Sequence, residues 1–140
     1  MPATATSQVL FDGERMAIMK FDFITTDNAG ETLVVKVDPA ALLPSNAGGA
    51  CNNVSLLKIS GLTHGLEVRM FWETTGTPVI IETIPPETQY MQDYSNIGGL
   101  TNVNILNTTG KVLFSTQDTG ANDTYTVVLE MQKHYVNPLG

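Results

Sequence analysis

Gly110-Lys-Val-Leu-Phe-Ser-Thr-Gln-Asp-Thr-Gly-Ala-Asn-Asp-Thr-Tyr-Thr-Val-Val-Leu-Glu-Met-Gln-Lys133 is the stretch whose reading decides the fold. Its second half alternates with a period of two. Tyr125, Val127, Leu129 and Met131 fall on one face, and Thr124, Thr126, Glu130 and Gln132 on the other, with Val128 the single apolar exception. That is the signature of a half-buried strand. Asp118-Thr-Gly-Ala-Asn-Asp123 between the halves is rich in residues that accept turns and left-handed backbone, so the simplest expectation is an antiparallel hairpin.

Similar patterns run upstream. Met16 to Ile24 sets Ala17, Met19, Phe21 and Phe23 against Ile18, Lys20 and Asp22. After the turn residues Asp27-Asn28-Ala29-Gly30, Glu31 to Asp38 places Leu33, Val35 and Val37 opposite Thr32, Val34 and Lys36, and the two segments read as a further hairpin. Asp38 before Pro39 is a cap and first position for one helical turn, which Pro44 ends. Ser45 to Asn53 reads as a glycine-rich loop, Val54 to Ser60 as a strand and Gly61 to Gly65 as a loop. In Leu66 to Glu73, Leu66, Val68, Met70 and Trp72 share one face. Val79 to Ile84 is a short β-branched run, and Pro85-Pro86 breaks regular structure before an aromatic cluster at Tyr90, Met91 and Tyr94.

About eight short strands separated by Gly, Pro and Asn turns, without a convincing helix, predict an all-β antiparallel sandwich of jelly-roll type. Residues 9–140 form that single domain, and residues 1–8, lacking apolar periodicity, are expected to be a flexible N-terminal arm. A chain of 140 residues buries enough surface to need no metal or disulfide, and its one cysteine, Cys51, forms no internal bridge. The 18 threonines and 10 asparagines, against only 15% charged residues, supply polarity through short uncharged side chains that suit strands and turns. A formal charge of −7 without a basic cluster argues against nucleic acid and anionic membrane as partners. No stretch approaches the ~20 apolar residues of a membrane helix, and the first residues lack a signal-peptide pattern.

Chemistry-bearing patterns are sparse. His64 and His134 are the only histidines, and neither lies in a catalytic context. Cys51 lacks a signature that would activate its thiol. Asp118 and Asp123 do not match a calcium loop and serve turn geometry; Glu67 and Glu73 read as solvent-facing strand residues rather than paired glycosidase carboxylates. The Asn-x-Ser/Thr matches at Asn53, Asn107 and Asn122 arise readily by chance in this composition. No catalytic, cofactor-binding or metal-ligating residue is assigned. Trp72, Tyr90 and Tyr94 could stack on sugar rings, although the alternation around Trp72 favours a core anchor for that residue.

Phe11-Asp-Gly-Glu-Arg-Met16, Val68-Arg-Met-Phe-Trp72, Gly110-Lys-Val-Leu-Phe-Ser-Thr116, Asp123-Thr-Tyr-Thr-Val-Val-Leu-Glu130 and Lys133 together resemble small structural proteins of tailed bacteriophages, notably marine and cyanobacterial phages. The resemblance implies a non-enzymatic virion component without catalytic residues. It points to a head decoration or cement protein, assembled in the host cytoplasm and placed on the capsid surface, trimeric, with the major capsid protein as its partner. A tail, neck or fibre sandwich, and a carbohydrate-binding surface module, are the alternatives.

Overall fold

The computed structural model describes residues 3–26, 30–46, 48–102, 105–117 and 119–135. Nine strands follow in order: β1 (Ala3–Asp12), β2 (Met16–Thr25), β3 (Val34–Val37), β4 (Cys51–His64), β5 (Glu67–Thr74), β6 (Val79–Ile84), β7 (Gln89–Asp93), β8 (Thr108–Gln117) and β9 (Thr124–Tyr135). They make a five-stranded sheet, β1-β2-β9-β4-β7, and a four-stranded sheet, β3-β8-β5-β6, with every pair antiparallel. Removing β1 leaves two sheets of four whose order is that of a jelly roll, so the expected fold class holds.

The alternating faces meet between the sheets. Phe21 and Phe23 of β2 and Tyr125 of β9 pack on Phe114 of β8 and on one another, with ring centroids 5.3 Å apart for Phe21–Phe114 and Phe23–Tyr125 and 5.9 Å for Phe114–Tyr125. Leu66 just before β5, Val68, Met70 and Trp72 of β5, and Val127, Leu129 and Met131 of β9 are all buried, as their spacing predicts. Apolar burial on both inner faces is the main stabilising term.

The topology departs from the expected one at the stretch quoted first. β8 and β9 are strands, but they do not pair: β8 lies between β3 and β5, and β9 between β2 and β4. The connection after Gln117 therefore crosses from one sheet to the other. Its far end is tied to β2, where the Thr25 N–H donates to the Asp123 carbonyl (3.1 Å) and the Asn122 N–H to the Thr25 carbonyl (2.7 Å). Asn122 takes the left-handed backbone, φ 66°, that its residue type tolerates. Likewise β2 and β3 belong to different sheets and form no hairpin.

Three further expectations are corrected. Residues 3–8, expected as part of a flexible arm, continue in β1, which pairs with β2 from Ala3↔Thr25 onward; main-chain pairing to an open edge needs no apolar alternation. β3 is only four residues long and carries a register shift between Val35 and Val37, so Val35 is exposed and Lys36 is turned inside. The Gly61–Gly65 segment is not a loop as far as His64: β4 runs unbroken through it. Gly61 is there because its neighbour is close, a Cβ at that position standing 2.7 Å from Ile84 Cδ1. The helical turn is a short 3-10 turn, Pro39–Ala41, with the Asp38 carboxylate accepting from the Ala40 N–H at 3.1 Å, as the cap residue predicts. The turn expected at Asp27-Asn28-Ala29 lies outside the described residues.

Candidate functional surface

Two buried lysines organise the ends of the sandwich. The shift in β3 brings Lys36 Nζ to 2.6 Å from Glu31 Oε2, and Glu31 Oε1 accepts from the Tyr125 hydroxyl at 2.5 Å. Burial, then the bond to Glu31, pushes the Tyr125 phenol far above its usual pKa. The Glu31 N–H in turn donates to Thr116 Oγ1 at 2.9 Å, closing the cluster onto β8. The second lysine, Lys133, lies on the buried face of β9 in step with Tyr125, Leu129 and Met131. Its ammonium reaches Asp12 Oδ1 at 2.5 Å and the carbonyls of Gly13 (2.9 Å) and Leu43 (2.8 Å). Burial disfavours its charge, but the bonds to Asp12 and Tyr135 outweigh that and hold its pKa above the ordinary lysine value. Lys133 thus has three acceptors for its three donors, and the Lys36 charge is paired with Glu31 in a buried site.

Apart from Tyr90 and Tyr94, which meet at Glu82, the side chains that sequence reasoning singles out do not converge. Trp72 is 2% exposed, a core anchor on β5. Tyr90 and Tyr94 are half-buried against the core where the edges β6 and β7 face each other, and the Tyr94 hydroxyl donates to Glu82. That bond, then burial, raises the Tyr94 pKa, and burial, then Glu82, raises that of Tyr90. Cys51 opens β4 rather than lying in a loop, and burial pushes its thiol up, away from the reactive thiolate. His64 is exposed beside Glu87 at 3.2 Å. Glu67 accepts from Arg69 at 2.6 Å and Glu73 from the Thr109 hydroxyl at 2.8 Å, so each carboxylate has a surface partner of its own. Asp123 accepts from the Gly120 N–H at 2.5 Å, as a turn-forming acid should, and Asp118 lies outside the described residues. Among the described residues no three His, Cys, Asp or Glu side chains group as metal ligands.

One pair that the sequence conceals is Ser55 Oγ and His134 Nε2, 2.6 Å apart across β4 and β9. Residues 79 positions apart give no local motif, so only the strand register brings them together. Ser55 is 2% exposed, and the pair borders a hollow of about 400 Å³ that Asn52, Asn53, Gly98 and Thr101 also line.

What the molecule does present is surface. The outer face of the five-stranded sheet carries rows set by register, such as Met91, Ser60, Val128, Lys20 and Gln8, and beside them Gln89, Leu62, Thr126, Asp22 and Thr6. A hollow of about 530 Å³ lies at its β7 end, with Leu62, Met91 and Val128 among short polar side chains. At the opposite end, residues 4–11 of β1 are all exposed, including Val9 (50%), Leu10 (48%) and Phe11 (53%).

No family model matches the sequence, and no curated protein matches it. Among solved structures, the chain is similar to a cupin superfamily protein from Desulfitobacterium hafniense DCB-2, at 13% identity over 90% of this chain and 77% of that one, with a TM-score of 0.31. It is similar also to a cupin domain from Bordetella pertussis Tohama I, at 10% identity over 96% and 97% of the two chains, TM-score 0.36. A family 29 carbohydrate binding module matches at 12% identity over 97% of each chain, TM-score 0.39. Likenesses of this size carry no functional inference, and what the chain does has to be read from its own surface.

Proposed function

We propose that the chain is a non-enzymatic structural subunit of a tailed-phage virion, a head decoration protein that binds the outer surface of the major capsid protein shell. The observation that carries this reading is the distribution of its apolar groups. Buried chains from both sheets fill the space between them, and the remaining large apolar side chains include a run on the outermost strand, at Val9, Leu10 and Phe11. A cement protein needs such a self-sufficient body with an adhesive rim, and the resemblance of the 110–133 stretch to phage structural proteins supplies the setting. Fractionation of disrupted virions tests it. The protein should accompany DNA-filled heads at a copy number set by capsid symmetry; recovery in tail fractions alone would assign it to the tail, neck or fibre instead.

A second reading, glycan recognition, is favoured by the hollow beside β7, where the Gln89 amide and the Ser60 and Thr126 hydroxyls border apolar Leu62 and Met91. Tyr90 also lines it. A glycan array read with the parent and with Tyr90→Ala and Tyr94→Ala decides: no signal in the parent, or a signal unchanged in both variants, removes this reading.

A further inference from the structure

Among the described residues the two sheets end in four edge strands, β1, β7, β3 and β6, and these are not alike. β3 is four residues long, carries a register shift and is followed by Pro39. β6 is six residues long, follows Pro78, has its own register shift against β5 and carries Glu82. β7 is five residues long, follows Pro85-Pro86 closely and ends in Asp93. Shortness, bulges, prolines and charges are the devices that stop an edge strand from pairing with another chain. β1 has almost none of them. It is ten residues long, and from Ala3 to Phe11 it holds no charged residue, no proline and no glycine. Its pairing with β2 is regular from Ala3 to Val9, and the shift comes only after that.

We infer that the Ala3–Val9 run of β1 is an assembly edge whose occupant is the same run of a second copy, paired antiparallel about a two-fold axis, which leaves Leu10 and Phe11 outside the pairing. The chemistry selects a second copy because the strand complements itself. The regular run Ala3–Val9 is centred on Thr6, so Thr6 faces its own equivalent, Ala5 the second copy's Ser7 and Thr4 the second copy's Gln8. No charge meets a like charge, in a protein whose net charge is −7, and threonine opposite threonine is a favourable cross-strand pair. The result is a continuous ten-stranded sheet. Seven paired residues span about 24 Å. The contact then buries roughly 500–700 Å² in total, below the ~1,200 Å² of a stable interface. The isolated chain is therefore a weak dimer, and a lattice that holds copies side by side strengthens the contact. This pairing belongs to the isolated chain and stands or falls apart from the virion reading.

Thr6→Lys is the discriminating substitution. Within the subunit position 6 lies opposite Asp22, so the new charge has an acidic neighbour there, whereas across the two-fold axis two ammonium groups meet. Sedimentation equilibrium should show the parent mass rising from monomer toward dimer between about 10 µM and 1 mM, with the dissociation constant at least tenfold weaker in Thr6→Lys. Thr6→Cys gives a second reading: mild oxidation should yield a disulfide-linked dimer, and Thr32→Cys, on an exposed site outside β1, should not. A parent that stays monomeric to about 1 mM assigns the edge to another partner and overturns the proposal. A dimer or trimer indifferent to Thr6→Lys, or equal cross-linking of both cysteine variants, overturns it as well.

Discussion

Lys133 and Tyr125 show how single residues hold the two layers in place. Replacing Lys133 by Met leaves the Asp12 carboxylate with the Leu43 N–H but no cation, and two carbonyls without their donor, in a site where the lysine side chain is fully buried. A loss of about 3 kcal/mol is expected in urea unfolding, much of it from the carboxylate left unpaired. Tyr125→Ala removes the ring that touches both Phe23 and Phe114 and leaves Glu31 short of a donor, for a loss of about 3–5 kcal/mol by the same measurement. Asp123→Ala behaves differently. It costs roughly 1 kcal/mol through the lost bond to the Gly120 N–H, and thermal stability of parent and variant alike should not respond to calcium or chelator. A chelator-dependent drop in the parent would restore a metal role for this turn. At this scale the sequence is legible for Trp72, Leu129 and Asp123, whose neighbours fix their face or turn. It is silent on Lys36, because an inward lysine depends on a shift in β3 that leaves no mark in the order of residues.

For whole elements, period-two alternation tells which face of a strand is buried but not which strand lies beside it. β8 and β9 have the composition and the intervening turn of a hairpin, and an arch between two sheets asks for the same residues. Long-range packing selected the arch, since Phe114 and Tyr125 meet edge to face across the interlayer space. Glycine is ambiguous for a related reason: it serves turns and close approaches equally. Gly61 and Gly110 separate the two roles. At Gly61 an added Cβ meets the movable tip of Ile84 at 2.7 Å, whereas at Gly110 it meets the Asn52 carbonyl oxygen at 2.5 Å on backbone with φ +85°. Gly61→Ala should therefore cost about 1 kcal/mol and Gly110→Ala roughly 2–4 kcal/mol in chemical denaturation, an order that reverses if Ile84 is rigidly held.

The molecule as a whole should be more sensitive to alkali than its acidic composition suggests. Lys133 has a folded pKa raised above 10.5, so the stability it contributes is complete below that value and is lost as pH climbs toward the folded one. Tyr125 adds to this in the same direction: the unfolded phenol releases its proton near 10.0 while the folded one keeps it, which favours unfolding above that pH. Unfolding free energy should hold from pH 7 to pH 9 as far as these two groups are concerned and fall beyond pH 10, with a smaller fall in Tyr125→Phe.

The central place of β9 has a consequence in time. β2 and β4 meet only through it, and its partners lie about a hundred and about seventy residues earlier in the chain. The β1–β2 hairpin can close while the polypeptide is still being made, but the five-stranded layer must wait for residues 124–135 to emerge and slot between strands already waiting on either side. Contacts so distant along the chain make for slow folding, in the millisecond-to-second range. Until β9 is in place the β1–β2 hairpin and the β4–β7 pair are two unjoined halves with their apolar faces exposed, which is the moment at which this protein most needs a chaperone.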